Sequence, residues 1–256
     1  MIKKLTILLV LVWAGVGWGQ VDWGGSTWQD PDSIDATSSN STNNLNNYGI
    51  QVSLSTTRNG TDVWTNVFYA RFKNDPHTSG YTQDSAFMVL VYNELGSDPD
   101  AVNDSSLIYF YVLKKDWGEG TKNNATATSG EASWDSAQTG TVAWTGATGG
   151  SNTADRQATV ACSLWIIDDP SADIVCTLKI EGTHLTQDFF DYGLIGLQQG
   201  TSQGATSNFH TFSFWSDNNT TASNRPYFYG YETAPAAGGG TTAGAATVGA
   251  ATVGSQ

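Results

Sequence analysis

The chain has little of what builds reactive or strongly charged sites. Its 256 residues include two cysteines, three histidines and six prolines, and only 14% of the side chains are charged. His77, His184 and His210 are scattered, with no His-x-x-x-His and no closely spaced cysteines beside them, which removes support for a zinc site. Eleven Lys and Arg stand against 24 Asp and Glu. Phosphate binding needs cations that displace counterions, so this balance argues against DNA, RNA and anionic membranes as partners, and disfavours a polyanionic polysaccharide. No apolar run reaches the roughly 18 residues of a membrane span, so no membrane insertion is expected.

Met1-Ile2-Lys3-Lys4, the apolar run Leu5 to Trp13 and the small residues around Trp18 have the order of a secretory signal peptide. Residues 1–19 are therefore expected to be a signal peptide, and the product to be secreted, extracellular or on the cell surface. In that setting Cys162 and Cys176 are expected to form a disulfide. The midpoint between them falls in Asp168-Asp169-Pro170-Ser171, good turn chemistry, so a cross-strand bridge in a hairpin is the expectation.

Residues 20–47 are polar and poor in apolar side chains, which reads as an extended N-terminal arm with little regular structure. Period-two alternation then begins at Ile50, Val52 and Leu54 and recurs in Thr65–Lys73, Ser85–Tyr92, Leu107–Leu113, Ala158–Ile167, Asp173–Ile180, Tyr192–Leu197, Phe209–Trp215 and Tyr227–Tyr231. One short helix is expected over Thr183–Asp191, with Thr183 as N-cap and Leu185 and Phe189 on one face. Many short strands, Gly-rich turns and almost no helix predict an all-β fold: an antiparallel jelly-roll β-sandwich of about ten strands over residues 48–233. Residues 234–256 are a Gly/Ala/Thr-rich low-complexity tail in which GAATV occurs twice. Val248 and Val253 are its candidate assembly residues, able to add a strand to a neighbour.

Aromatic residues are plentiful, with ten each of Trp, Tyr and Phe. Flat rings stack on the apolar faces of sugars while neighbouring amides bond the hydroxyls. Trp117, Trp134 and Trp144 are the ligand-binding candidates. Trp144 is the one expected to be exposed, because Thr145-Gly146-Ala147-Thr148-Gly149-Gly150 offers it no apolar partner. Asn40, Asn59, Asn103, Asn124, Asn218 and Asn219 open Asn-x-Ser/Thr sequons and are glycosylation candidates. Asp98, Asp100, Asn103 and Asp104 put hard oxygen ligands in one turn, and a structural calcium is entertained on that basis. Gly200-Thr201-Ser202-Gln203-Gly204 matches a nucleophile elbow, but no helix follows it and the only later histidine is His210, so no catalytic residue is expected there. Glu119 and Glu131 could serve as a glycosidase pair only at a defined separation across a cleft; Glu119 is expected instead to accept hydrogen bonds at a strand end.

Several stretches resemble DNRLRE domains, secreted sandwich modules counted among carbohydrate-binding modules. They are Asn47-Tyr48-Gly49, Ala70-Arg71-Phe72, Trp117-Gly118-Glu119, Ser133-Trp134-Asp135-Ser136-Ala137, Thr183 to Phe190 before Tyr192-Gly193-Leu194, and Arg225-Pro226. The resemblance implies a jelly roll without catalytic residues. Two functions follow as expectations: a non-catalytic module for carbohydrate binding or cell-surface adhesion, or a structural subunit of an extracellular filament or surface layer assembled through its terminal segments. The corresponding partners are a polysaccharide or cell-surface glycan, or copies of the chain itself.

Overall fold

The fold is seen in a computed structural model, which describes residues 27–29, 34–58, 64–73, 80–93, 106–166, 174–180, 182–199 and 210–235. Its elements are β1 (Thr27–Gln29), β2 (Ile34–Asn40), β3 (Asn46–Asn47), β4 (Ser53–Arg58), β5 (Trp64–Phe72), β6 (Thr82–Val91), β7 (Ser106–Val112), β8 (Ala125–Thr126), β9 (Ser136–Gln138), β10 (Val142–Ala143), β11 (Cys162–Ile166), β12 (Val175–Ile180), α1 (Gln187–Tyr192), β13 (Leu194–Gln199), β14 (His210–Trp215) and β15 (Tyr227–Thr233). Asn59, Asn103, Val248, Val253, the Asp98–Asp104 turn and the Gly200–Gly204 motif lie outside the described residues.

The antiparallel sandwich expected from the alternation is what the chain forms. A four-stranded sheet runs β1-β15-β6-β12, and a seven-stranded sheet runs β11-β7-β13-β5-β4-β14 with β2 added to β5. Between them lies the main core, where Phe68, Ala70 and Phe72 of β5 meet Ala86, Met88 and Leu90 of β6, Phe110 of β7 and Phe212 and Phe214 of β14. Phe189 from α1 and Phe228 from β15 pack edge-on at 5.8 Å and close one end.

The larger sheet is apolar on its other face as well, through Val67 and Tyr69 of β5, Tyr111 of β7 and Ile195 and Leu197 of β13. A sheet apolar on both faces needs a layer on each. The segment after β7 supplies it: Trp117, Ala132, Trp134, Ala137 and Trp144 lie against those residues as a second core. The β9–β10 and β3–β8 pairs carry this layer.

Three expectations are corrected here. Within residues 20–47, the described strands β1 and β2 belong to the two sandwich sheets. β2 pairs with β5 from Ile34↔Phe72 to Asn40↔Asn66 and β1 pairs with β15. Its polarity is compatible with burial because its hydroxyls are bonded: Ser39 Oγ shares a hydrogen bond with the Tyr69 hydroxyl at 2.7 Å, and Ser38 Oγ accepts from the Ser55 amide at 3.0 Å.

The cysteines are not ladder partners. Cys162 sits opposite Phe110 in the larger sheet and Cys176 opposite Leu90 in the smaller one, and both are free thiols. Period-two alternation tells which face a strand buries but not which neighbour it pairs with, and the apolar strands β7 and β6 are the neighbours taken. Burial pushes the Cys162 thiol up to about 12 and the Cys176 thiol up to about 11.

The helix begins later than expected, at Gln187 after a 3-10 turn over Gly182–His184, and its N-cap is Thr186. It ends at Gly193, whose φ of 71° and approach to β5 leave no room for a side chain; a Cβ there would stand 2.1 Å from the Ala70 carbonyl oxygen.

Candidate functional site

The three candidate tryptophans are all buried. Trp117 is 0% exposed, Trp144 2% and Trp134 8%. Trp117 donates its ring N–H to the Tyr192 carbonyl at 2.8 Å and Trp144 donates to the Ser133 carbonyl at 3.1 Å. Tyr69 lies between them, 5.5 Å from Trp144 in a stacked arrangement and 5.4 Å from Trp117. The expected exposure of Trp144 is overturned by the glycines after it. Without side chains, Gly149 and Gly150 press their backbone onto the rings, and a Cβ on Gly149 would stand 2.8 Å from Trp134 Cε3. The loop is itself the apolar partner, so the tryptophans make a core layer and not a ligand platform.

Where pairing along β5 changes hands, a polar cavity opens instead. Asn66 is the β5 residue that faces both β2, through Asn40, and β4, through Thr57. Side chains take over from the backbone ladder at this fork: Asn40 Nδ2 donates to Asn66 Oδ1 at 2.5 Å, and Asn66 Nδ2 donates to Thr57 Oγ1 at 2.9 Å. The cavity beside them has a volume of about 240 Å³. Its walls are Ser38, Ser39 and Asn40 from β2, Ser55 and Asn66 from β4 and β5, Asn43, Tyr48 and Gln51 from the intervening loop, and Asn124 before β8. None of the nine carries a formal charge, and eight of them are amides or aliphatic hydroxyls.

The wall is held in place from behind. Asn40 Oδ1 accepts from the amides of Thr42 at 2.7 Å and Asn43 at 3.2 Å. Asn46 Nδ2 donates to Asn124 Oδ1 at 3.0 Å, pinning a residue whose φ is 54°. The amide groups of the Asn40, Asn218 and Asn219 sequons are likewise engaged: Asn218 Nδ2 donates to the Gly49 carbonyl at 2.9 Å, and Asn219 Oδ1 accepts from the Thr221 amide at 2.7 Å. Asn124 is exposed.

The acidic residues weighed from sequence separate into two settings. Glu131 accepts from the Thr128 amide at 2.7 Å and from the Thr121 amide and hydroxyl at 2.9 and 3.0 Å. Burial draws its carboxyl upward, but these bonds outweigh it and hold Glu131 below the ordinary range. Glu119 accepts from the Ala36 amide of β2 at 3.4 Å, the backbone bond expected of it, and also bonds Asp217, a residue the sequence does not single out. Burial first, then the Asp217 and Asp35 charges and the hydrogen bond to Asp217, push Glu119 up to about 9; the Ala36 amide opposes this weakly. Burial raises Asp217 to about 6, against the bond from Glu119 and the nearby Lys73 charge. Glu119 thus holds the proton and donates it to the Asp217 carboxylate. The Glu119 and Asp217 carboxyls, hydrogen-bonded to each other, stand closer than the roughly 5 to 9.5 Å at which glycosidases set theirs.

Among the described residues no group of three or more His, Cys, Asp or Glu is arranged to hold a metal. No helix of the described residues is long and apolar enough to cross a membrane. The chain matches no protein-family model and no curated protein.

Proposed function

We propose that the chain is a secreted, non-catalytic β-sandwich module that binds neutral carbohydrate, or adheres to a cell surface through it. The single observation that carries this reading is the cavity at the β2/β4/β5 fork, with nine uncharged lining residues, eight of them amides or aliphatic hydroxyls. Sugars are recognised by such groups, which match their many hydroxyls without the desolvation cost of a buried charge. At about 240 Å³ the space lies just under the range of drug-sized pockets, which suits a single sugar ring or chain end. The acidic balance of the chain agrees with a neutral ligand. Kinship with DNRLRE-type modules belongs to the same proposal and is supported by the antiparallel sandwich.

Gln51→Phe would fill the cavity from its loop side without touching either core. In calorimetric titrations with soluble neutral mono- and oligosaccharides, it is expected to weaken the best binder at least about tenfold, roughly 1.4 kcal/mol, with the melting temperature unchanged. A parent chain that binds none of the sugars, or a Gln51→Phe chain that binds like the parent, would sink the reading.

One observation favours the second reading, a subunit of an extracellular filament or surface layer. The edge strands β11 and β12 and the residue before β12 present large apolar side chains to solvent: Trp165 is 45% exposed, Ile174 42% and Val175 61%. An open edge with exposed apolar residues is a place where a further strand can add. If the chain assembles this way, light scattering at rising concentration will show growing oligomers, and Val175→Lys will return them to monomer. A parent that stays monomeric throughout removes the idea.

A further inference from the structure

The outer face of the smaller sheet carries an aromatic row that takes no part in either core. Along β15, Tyr227, Tyr229 and Tyr231 alternate with the buried Phe228, Gly230 and Glu232, so the tyrosines stand on the face turned away from the main core. β6 places Phe87 opposite Tyr229, and the two rings stack with centroids 4.8 Å apart and planes 7° from parallel. Tyr231 meets Phe87 edge-on at 6.1 Å, and successive tyrosines stand 6.2 and 6.3 Å apart. Beyond Phe87, β12 adds the exposed Thr177 and Lys179.

A cross-strand aromatic pair can exist for sheet stability alone. Four rings in mutual contact on one face extend past what a single pair accomplishes, and all four remain only half-buried. The row is long in the strand direction and narrow across it. Its members hold each other's rotamers, so little side-chain freedom is left to lose when something docks. Each tyrosine offers an apolar ring and, at its tip, a hydroxyl that can donate or accept. An occupant must therefore be linear, repeat apolar patches along its length and carry hydroxyls at its rims, and the balance of 24 Asp and Glu against 11 Lys and Arg in the chain disfavours one with negative charge. A chain of pyranose rings has those properties.

We propose that this face binds an extended neutral polysaccharide, with several sugar rings lying along β15 and stacking on Tyr227, Tyr229, Tyr231 and Phe87. The inference rests on the carbohydrate-binding reading but uses a different sheet from the cavity, so variants at the two places distinguish its failure from the cavity's. A chain segment would occupy the tyrosine face, and a single ring or chain end the cavity.

The test is depletion of the full-length protein from solution by microcrystalline cellulose and by insoluble mannan, with Tyr229→Leu, Tyr231→Leu and Gln51→Phe as variants. Leucine keeps the apolar fill of the sheet but removes the flat ring. The parent is expected to be depleted by at least one polymer. Each tyrosine variant should lose at least tenfold in affinity with its melting temperature within a few degrees of the parent, and should lose more than Gln51→Phe does. A parent that neither polymer depletes overturns the inference, as do tyrosine variants that bind unchanged. Loss of polymer binding only in Gln51→Phe overturns it too, leaving the cavity reading intact. If instead Tyr229→Leu dissolves a concentration-dependent dimer and no polymer binds, the face is an interface between copies of the chain and the polysaccharide is excluded.

Discussion

Trp117→Ala is expected to cost about 3–5 kcal/mol of stability, a large part of the 5–15 kcal/mol that a domain ordinarily has. Trp117 is fully buried at the centre of the layer over the larger sheet. Its ring meets Tyr69 on one side, the Arg71 guanidinium lies over it at 4.8 Å, and its N–H bonds the carbonyl of Tyr192, the last residue of α1. Removal would empty a tryptophan-sized space, leave that carbonyl without its donor, and take the cation–π partner from Arg71, which also binds Asp35 and Asp116. The surrounding backbone is tied to α1 and to β5, so it has little scope to collapse into the gap. Trp144→Ala should cost a similar amount, because its ring fills the space beside Tyr69 and Gly150. Urea unfolding followed by far-UV circular dichroism measures both. If either variant unfolds at the parent's midpoint, the second core is not a stability element, and for Trp144 the expected exposure returns.

How far the fold was legible depends on what each strand buries. β5, β6, β7, β14 and β15 alternate or run apolar on both faces, and the expected segments overlie them. β2 was not legible, because Thr37 and Ser39 are fully buried polar residues whose presence in a core depends on partners such as Tyr69, 30 residues away. The tryptophan cluster is legible in the sequence but the burial of Trp144 is not, since a Gly-rich loop reads as solvent-exposed spacing although its lack of side chains lets it lie flat on a ring. The cavity could not have been anticipated. Asn40, Asn66 and Asn124 are separated by 26 and 58 positions, and only the fork in strand pairing brings them together. The tyrosine row was visible in principle as Tyr227-x-Tyr229-x-Tyr231, one face of a strand. The Glu119–Asp217 contact joins residues almost 100 positions apart and left no sequence signal.

Glu119→Gln is expected to stabilise the protein at and above neutral pH while changing little near pH 4. The proton that Glu119 shares with Asp217 is held by burial and by the Asp217 and Asp35 charges, which together lift Glu119 from 4.5 to about 9. In the unfolded chain the same carboxyl ionises near its ordinary value, so between about pH 4.5 and 9 the folded state binds more protons than the unfolded one. Stability from this group is therefore greatest below about 4.5, falls as pH rises through the window and levels off above about 9. Asp217, raised from 3.8 to about 6, acts in the same direction over a narrower range. Glu131, held low by its hydrogen bonds, acts in the opposite direction and loses its contribution as acid protonates it. Glutamine keeps an N–H that can donate to Asp217 but has no proton to lose. Allowing for the partial exposure of Glu119 to solvent, the gain at pH 8 should be on the order of 1–3 kcal/mol. Urea midpoints from pH 4 to 9 will decide it: the parent curve should fall toward alkaline pH more steeply than the variant's, and the two should converge near pH 4. Parallel curves would mean that Glu119 is ionised in the folded protein and that the contact with Asp217 is not held by a proton.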